Sequence, residues 1–378
     1  MRIAIDYTPA VNQVAGIGRY TRCLVQALAE SDTENEYVLF YAYSGGPKPA
    51  WPFAGHPNFV EKAVSISNRA LAIVWHRLGL PLPVNLVVGN VAVYHATDFV
   101  LPPLRKTAGI VTVHDLSFIL FPDHADSGLA SYLERSVPES VRRARLVLAD
   151  SDNTRNDIIC LLDAPLEKVE VLYAGVDARF RPVHDAAELD AVRRRYGLAW
   201  PFILSVGTIE RRKNLSRLVQ AYGRLHAKRR DLPKLLIVGQ RGWLYEDVFE
   251  SVVDLGLEDD VVFPGYVEDS DLPALYNLAE LFVYPSLYEG FGLAPLEAMA
   301  CGIPVVASNT SSLPEVLGDA CLSVAPADVE GLSDAIERAL DDTELRADLR
   351  QRGLAQAGQF TWARSAERLL ELYRRTVG

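Results

Sequence analysis

The sequence predicts an α/β protein built from two doubly wound parallel sheets, each Rossmann-like. Short aliphatic and β-branched runs alternate with helical patterns along the whole chain, which is typical of parallel strands joined by crossover helices. The alternation begins again near residue 202, and 378 residues are too many for one ordinary hydrophobic core. We expect two facing domains with a cleft at the carboxyl ends of their strands, where ligands of such folds usually bind.

Six strand-like runs occupy the first half of the chain. The first of them, RIAID, is followed at once by a helical pattern over 18–30, and a second helix fits 129–143. The predicted strands are 2–6, 36–43, 92–97, 109–115, 145–150 and 168–173. These elements form a predicted N-terminal Rossmann-like domain over residues 1–180, with the linker near 179–185.

A second series of strands and helices follows the linker and predicts a second Rossmann-like domain over 181–360. Its predicted strands are 202–208, 234–240, 261–267, 281–286 and 304–308. Its predicted helices are 215–226, 246–255, 270–279, 296–300 and 312–317. The last helix, within 361–378, has no strand after it, and we expect it to pack back on the first domain.

Composition argues against several classes of protein. The net charge of −11 disfavours a nucleic-acid binder, because phosphate contacts need a basic face. The four cysteines are far apart and lack the paired spacing of zinc sites, so reduced thiols are expected. No apolar run has the length of a membrane span, and the first residues lack the layout of a secretory signal. A cytoplasmic location is therefore expected.

The stretch EGFGLAPLEAMACGIPVVAS, residues 289–308, is the most informative part of the chain. Gly290 and Gly292 let backbone N–H groups approach a ligand closely, and Pro295 predicts a helix that begins at 293–295. We expect Glu297 in the first turn and Glu289 on the preceding loop, with both carboxylates converging on sugar hydroxyls. The alternative is a helix N-terminus with favourable acidic residues.

The motif GTIERRKNL, residues 207–215, predicts a phosphate site. Arg211, Arg212 and Lys213 lie between a strand and a helix, where cations and a helix N-terminus can together hold a diphosphate. The alternative is a solvated basic turn. The motifs GQRGW (239–243) and FPGYV (263–267) also end strands with glycine and an aromatic residue. They predict walls for a nucleotide base, although packed turns would have the same pattern.

Two motifs of the first half lie at predicted strand ends. AGIGRYTRCL, residues 15–24, places Gly16 and Gly18 before a helix, but Thr21 replaces the third glycine of a dinucleotide fingerprint, which disfavours a nicotinamide cofactor. We expect these glycines to let the loop approach a phosphate. VTVHDLSF places His114 at a strand end, where it can donate to a sugar hydroxyl or relay a proton. A histidine held by local backbone is the alternative.

The Asp-x-Asp sequence of ADSDNTRND, residues 149–157, could bind a metal-diphosphate. It follows a strand and precedes a helix, and Ser151, Asp152 and Asn153 are ordinary capping residues. We therefore predict a helix cap, no catalytic metal and no cofactor.

Taken together, these motifs resemble the retaining glycosyltransferases of family 4, which have the GT-B fold of two facing doubly wound domains. The resemblance implies an acceptor-side domain over 1–180 and a nucleotide-sugar-binding domain over 181–360. The resemblance covers almost the whole chain and is most specific in the EGFGLAPLEAMACGIPVV block after the lysine motif. The segments VHDLSF, VGTIERRKN and GQRGWLYE are most similar to those of mannosyltransferases that build bacterial polysaccharides and O-antigens. Many relatives carry Gly-Arg where this chain has Gly207-Thr208, and Arg211 or Arg212 is then the candidate second phosphate cation.

The resemblance implies a role for each motif residue. Lys213 and Arg212 would neutralise the leaving diphosphate, and Glu289 would bind donor hydroxyls. His114 would lie beside the donor sugar, so His114, Arg212, Lys213 and Glu289 form the expected catalytic set. The expected donor-binding residues are Gly16, Gly18, Gly207, Gly239, Tyr266, Val267, Phe291, Gly292, Leu293 and Glu297, of which Glu297 would hold the ribose.

The implied reaction moves a hexose, with mannose from GDP-mannose as the first hypothesis, to a glycan or lipid-linked acceptor. Family members mostly use no metal and retain the anomeric configuration by same-face attack. The alternatives are a UDP-sugar-dependent GT-B transferase or epimerase, or a non-catalytic nucleotide-sugar sensor or scaffold. Residues 68–86 mix aliphatic, aromatic and basic side chains, which fits either peripheral contact with the inner face of the membrane or a core-packing helix.

Overall fold

The computed structural model describes residues 1–378 except 15, 68, 69, 72, 74, 76–81, 125, 230 and 378. Most of the segment 68–86 that was considered for membrane contact therefore lies outside the described residues. The chain forms two compact units. Unit 1 comprises Met1–Leu120, Ser127–Gly175 and Trp362–Gly378, and unit 2 comprises Phe121–Asp126 and Val176–Thr361. The short segment Phe121–Asp126 thus belongs to unit 2, although it interrupts the sequence of unit 1.

Unit 1 contains a seven-stranded sheet in the order β3-β2-β1-β4-β5-β6-β7, and all of its pairings are parallel. The strands are β1 (Arg2–Asp6), β2 (Glu36–Tyr43), β3 (Phe59–Ser65), β4 (Val93–Ala96), β5 (Ala108–Val113), β6 (Leu146–Ala149) and β7 (Val169–Val171). The central strands are buried on both faces, which explains their uninterrupted aliphatic runs. The order reverses between β1 and β4, the topological switch point of a doubly wound sheet.

Six α-helices of unit 1 with described bounds lie before residue 176. They are α1 (Thr8–Asn12), α2 (Ile17–Ser31), α3 (Asn85–Val88), α4 (Ser117–Leu120), α5 (Ser127–Arg143) and α6 (Asp152–Leu162). The two longest, α2 and α5, match the helices predicted at 18–30 and 129–143.

Unit 2 contains a six-stranded parallel sheet in the order β10-β9-β8-β11-β12-β13. The strands are β8 (Phe202–Val206), β9 (Lys234–Val238), β10 (Val261–Gly265), β11 (Leu281–Tyr284), β12 (Val305–Ser308) and β13 (Leu322–Val324). The helices are α7 (Ala186–Tyr196), α8 (Leu215–Lys228), α9 (Glu246–Asp254), α10 (Leu272–Leu278), α11 (Leu293–Ala300), α12 (Leu313–Leu317), α13 (Val329–Asp341) and α14 (Thr343–Ala357). Both sheets therefore confirm the predicted doubly wound architecture.

The closing helix α15 (Trp362–Val377) returns to unit 1. Its Tyr373 is fully buried, and the phenol oxygen lies 2.8 Å from Nδ1 of His95 in β4. Arg368 and Arg375 on the same helix both pair with Glu170 of β7. Among the described residues no helix combines the length and apolar character needed to cross a bilayer.

Candidate active site

Lys213 is the first element of a buried charged cluster in unit 2. It ends a 3₁₀ turn, Arg211–Lys213, that connects β8 to α8. Its Nζ donates to Oε1 of Glu289 at 2.6 Å and to the phenol oxygen of Tyr284 at 2.9 Å. The side chain is only 12% exposed. Burial and the nearby Arg212 lower the pKa of Lys213, while Glu289 opposes this change.

Glu289 is the centre of the cluster. Its Oε1 also accepts a hydrogen bond from Ser286, and its Oε2 lies 3.1 Å from Nη1 of Arg212. Burial alone would raise the pKa of Glu289, but the charges of Lys213 and Arg212 lower it to about 2. The group is therefore a carboxylate at neutral pH, able to accept hydrogen bonds but unable to donate a proton.

Arg212 completes the cluster and brings a second carboxylate with it. Its Nη2 donates to Oε1 of Glu210 at 2.7 Å, and its Nη1 donates to the carbonyl oxygen of Tyr288 at 2.7 Å. Lys213 and Arg212 therefore form ion pairs with two carboxylates, Glu210 and Glu289. This pairing offsets the cost of burying the charges. The structure brings together three of the four predicted catalytic residues, Arg212, Lys213 and Glu289.

Arg211 differs from its two neighbours because it lies outside this cluster. It is exposed, and in the described part of the chain its side chain has no hydrogen bond or ion pair. The sequence left open whether Arg211 or Arg212 would replace the arginine that relatives carry at position 208. Arg212, unlike Arg211, lies against the same carboxylate as Lys213.

The loop from Glu289 to Gly292 is held by Ser311 and Ser312, the two residues that precede α12. Ser312 Oγ donates to the carbonyl oxygens of Glu289 at 2.9 Å and Phe291 at 2.8 Å. The N–H of Glu289 donates to Ser311 Oγ at 2.9 Å. Gly292 has a φ of +111°, and a Cβ there would lie 2.8 Å from Leu313 Cδ2. The loop conformation therefore requires glycine at this position.

Helix α11 begins at Leu293, as the sequence predicts, and this start corrects the position of Glu297. The prediction of Glu297 in the first turn is wrong, because Glu297 is the fifth residue of a helix that has 3.6 residues per turn. Its buried carboxylate accepts a hydrogen bond from the Tyr276 hydroxyl at 3.2 Å. Glu289 is bound by Lys213, Arg212 and Ser286, whereas Glu297 accepts from Tyr276. The convergence of the two carboxylates on one ligand stays a prediction.

The loops after β8 and β9 meet at two glycines. Gly207 N–H donates to Val238 O at 2.9 Å, and a Cβ on Gly239 would lie only 1.9 Å from the carbonyl oxygen of Gly207. A Cβ on Gly207 would lie 3.6 Å from Cε of Lys213. Close approach of the two strand ends therefore supports the turn that carries Lys213. Of the predicted base-site residues on the next strand end, Tyr266 is exposed and Val267 is buried.

In unit 1, His114 follows β5 and is buried among polar partners. Its Nδ1 lies 2.7 Å from Oδ2 of Asp150, and its Nε2 lies 2.8 Å from the carbonyl oxygen of Thr97. Burial alone would lower the pKa of His114, but the charge and hydrogen bond of Asp150 raise it to about 9. Asp115, the carboxylate beside it in sequence, instead accepts from Ser117 N–H at 2.8 Å.

We predict a pH-dependent contribution of His114 to stability. Its folded pKa of about 9 exceeds an unfolded value near 6.5, so the contribution is complete below about pH 6.5 and is lost as the pH rises through about 9. Urea unfolding of wild type and His114→Gln should show a larger difference in unfolding free energy at pH 6 than at pH 9.5. Asp150→Asn should reduce that pH dependence. An equal difference at both pH values would contradict the raised pKa.

The predicted glycines of unit 1 have different surroundings. Gly16 has a φ of +56° and open space at the position of a Cβ. At Gly18 a Cβ would lie 2.0 Å from the carbonyl oxygen of Gln13, so the missing side chain allows α2 to pack against the end of α1. The roles of both glycines toward a phosphate stay predictions.

The Asp-x-Asp sequence begins a helix, as predicted. Ser151 is the N-cap of α6, and its Oγ accepts from Thr154 N–H at 3.1 Å. Within the described ranges, no group of three or more His, Cys, Asp or Glu side chains is placed to hold a metal ion.

Sequence reasoning missed Glu210, Tyr284 and Ser286 in the unit 2 cluster. Tyr284 and Ser286 lie at and just after the carboxyl end of β11, next to β8 in the sheet. Their position could have predicted their place in the cluster, because polar side chains at the carboxyl ends of neighbouring parallel strands meet at one edge of the sheet.

Two family models match the chain. "Glycosyltransferase Family 4" matches residues 14–180, and "Glycosyl transferases group 1" matches residues 197–356. O-antigen chain mannosyltransferase B of Escherichia coli is 35% identical over 396 aligned residues, which cover 99% of this chain and 100% of the relative.

Solved structures with low sequence identity share the fold. Sucrose-phosphate synthase from Thermosynechococcus elongatus has a TM-score of 0.77 at 22% identity, covering 99% of this chain and 98% of the other. Anabaena HepE in complex with UDP and glucose has a TM-score of 0.73 at 20% identity, covering 99% and 100%. Two Rossmann-like parallel sheets, with these matches, define a glycosyltransferase of the GT-B fold. The chain belongs to glycosyltransferase family 4 and is similar over its full length to an O-antigen mannosyltransferase.

Proposed function

We propose that this glycosyltransferase transfers mannose from GDP-mannose to a glycan or lipid-linked acceptor, with retention of configuration and without a metal. The observation that carries the proposal is the buried cluster of Lys213 and Arg212 around Glu289. Mannose is favoured by the 35% identity to an O-antigen chain mannosyltransferase over nearly the whole chain. We also propose a cytoplasmic location, with peripheral contact at the inner face of the membrane.

The cations of the cluster suit the charge that develops during transfer. An acceptor hydroxyl oxygen forms the new bond to the anomeric carbon while the bond from that carbon to the diphosphate breaks. The nucleoside diphosphate leaves with the electron pair, and the acceptor proton passes to an oxygen of the leaving phosphate. Negative charge therefore grows on the diphosphate, where Lys213 and Arg212 stabilise it in a site of low dielectric constant.

Glu289 serves as a hydrogen-bond acceptor rather than a nucleophile in this proposal. Its carboxylate already binds Lys213, Arg212 and Ser286, which fixes its orientation, and its remaining lone pairs can accept from donor hydroxyls. The N-cap of α11, Gly292, provides no side-chain cap. By the family resemblance, the backbone N–H groups of 291–293 would help to bind the donor, and those of Gly292 and Leu293 lie at the N-terminus of α11, where anions are favoured.

The remaining assignments stay proposals from the family resemblance. Glu297 would bind the nucleotide ribose from its buried position on α11. Gly239, Tyr266 and Val267 would border the base, and Tyr266 is exposed enough to stack on one. His114, Gly16 and Gly18 would act from unit 1.

A thermal-shift and turnover screen tests the donor. GDP-mannose at 100 times its dissociation constant should stabilise the protein by about 2.7 kcal/mol, and GDP should be released slowly. The matched ligands are UDP-glucose, UDP-N-acetylglucosamine and the free diphosphates, each with and without EDTA. We expect the response to GDP-mannose to persist in EDTA.

Other outcomes of the screen would contradict the proposal and identify a different function. Turnover of a UDP-sugar in place of GDP-mannose would identify another donor, and loss of turnover in EDTA would show a required metal. Release of a free epimer without any acceptor would identify an epimerase. Binding without turnover, in the presence of acceptor glycans, would indicate a sensor. The anomeric configuration of the product, measured by NMR, tests retention.

A further inference from the structure

A cavity of about 490 Å³ lies in unit 2 beside Arg211, the first residue of the Arg211–Lys213 turn. Its lining includes His124, Arg211, Ser216, Arg217, Gln220 and Asp247. Neither Lys213 nor Glu289 lines it, so the cavity is distinct from the proposed donor cluster. Its volume lies within the usual range of small-molecule sites, about 300–1,000 Å³.

Two arginines give this cavity cationic groups that form no ion pair with a carboxylate within the described part of the chain. Arg211 has no partner there, whereas the adjacent Arg212 is paired with both Glu210 and Glu289. Arg217 donates to the neutral amide oxygen of Asn214 at 2.8 Å. Guanidinium groups of this kind are suited to bidentate binding of phosphate or carboxylate.

Two further lining side chains carry buried polar atoms without a partner among the described residues. These atoms are Nδ1 of His124 and Oδ1 of Asp247. Native proteins rarely leave such atoms unsatisfied, so each calls for an explanation such as a ligand group. A carboxylate oxygen accepts from hydroxyls, and Gln220 and Ser216 add further donors and acceptors. Hydroxyl groups on a ligand would therefore satisfy the part of the lining that a phosphate would not.

We propose that this cavity binds an anionic saccharide, a sugar that carries a phosphate or carboxylate group. Arg211 and Arg217 hold the anionic group, and Asp247 and Gln220 bind sugar hydroxyls. The ligand is either an anionic part of the acceptor or a free sugar phosphate that acts as an effector. The proposal does not depend on the donor, because its first test measures binding rather than turnover.

Isothermal titration calorimetry with inorganic phosphate, glucose 6-phosphate and glucose tests the site. Phosphate and glucose 6-phosphate should bind the wild type, the latter more tightly, and glucose should bind far more weakly. The double variant Arg211→Gln/Arg217→Gln should raise both dissociation constants at least about 10-fold, since two charge-assisted contacts are removed. Asp247→Asn should tighten phosphate binding, because a repelling charge is removed.

The matched control is Arg224→Gln, an exposed arginine of the same helix α8 that pairs with Glu330 on the surface. It should bind as the wild type does, and circular dichroism should show all variants folded. Absence of binding to the wild type, or equal binding by the double variant, would overturn the proposal. Turnover with glucose 6-phosphate separates the two sources: a new glycoside identifies an acceptor, and a changed rate of GDP release without one identifies an effector.

Discussion

Lys213→Ala is expected to lower donor turnover by about 100- to 1,000-fold, the usual loss when one group that stabilises developing charge is removed. The side chain is buried and lies 2.6 Å from Glu289, so no solvent cation can take its place with the same geometry. The loss should appear in kcat, because the charge on the leaving diphosphate grows in the transition state. The measurement is GDP release from saturating GDP-mannose.

Glu289→Gln should cause a loss of similar size while conserving shape. It removes the carboxylate that orients Lys213 and Arg212 and that would accept donor hydroxyls. The controls are Lys228→Ala, at the exposed end of α8, and Glu250→Gln, exposed on α9. Both controls should retain wild-type turnover. Turnover within a few-fold of wild type in both Lys213→Ala and Glu289→Gln would show that the cluster does not carry the reaction.

Gly239→Ala is expected to destabilise unit 2 by about 4 kcal/mol, among the largest effects of single substitutions. The added Cβ would lie 1.9 Å from the carbonyl oxygen of Gly207, and that backbone atom cannot move without separating the ends of β8 and β9. For a unit of this size, about 2–4 °C is lost per kcal/mol, so the melting temperature should fall by roughly 8–16 °C. Differential scanning calorimetry measures the change.

Gly197→Ala is the matched control for this substitution. Gly197 is also a glycine of unit 2 with positive φ, +67°, but open space surrounds the position of its Cβ. In Gly197→Ala only the backbone strain remains, about 1 kcal/mol, so the melting temperature of this variant should fall by a few degrees. If the two variants melted at similar temperatures, the close approach of Gly239 to Gly207 would not matter for stability.

The sequence predicted the sheets well because the central strands are buried on both faces and therefore have continuous aliphatic runs. It missed β3, since FVEKAVS lies at the sheet edge, where Glu61 and Lys62 interrupt the apolar pattern. It also missed β13, which has only three residues. The membership of Phe121–Asp126 in unit 2 has no local signal, because it depends on tertiary contacts such as Phe121 with Tyr288.

The candidate site was predictable to the extent that it follows from sheet topology. The convergence of Lys213 and Glu289 follows from the neighbouring positions of β8 and β11. The partner of His114 was not predictable, because Asp150 is 36 residues away and the nearer Asp115 holds its own turn. The position of Glu297 depended on where α11 begins, and helix boundaries are the least certain part of sequence reasoning.

A crystal structure of the protein with bound GDP would show whether the cluster of Lys213, Arg212 and Glu289 is the donor site. We expect diphosphate oxygens within hydrogen-bond distance of Lys213 Nζ and the Arg212 guanidinium, with further contacts from the backbone N–H groups of Gly292 and Leu293. A nucleotide bound elsewhere in unit 2, with no phosphate contact to Lys213 or Arg212, would contradict the assignment of the cluster as the donor site.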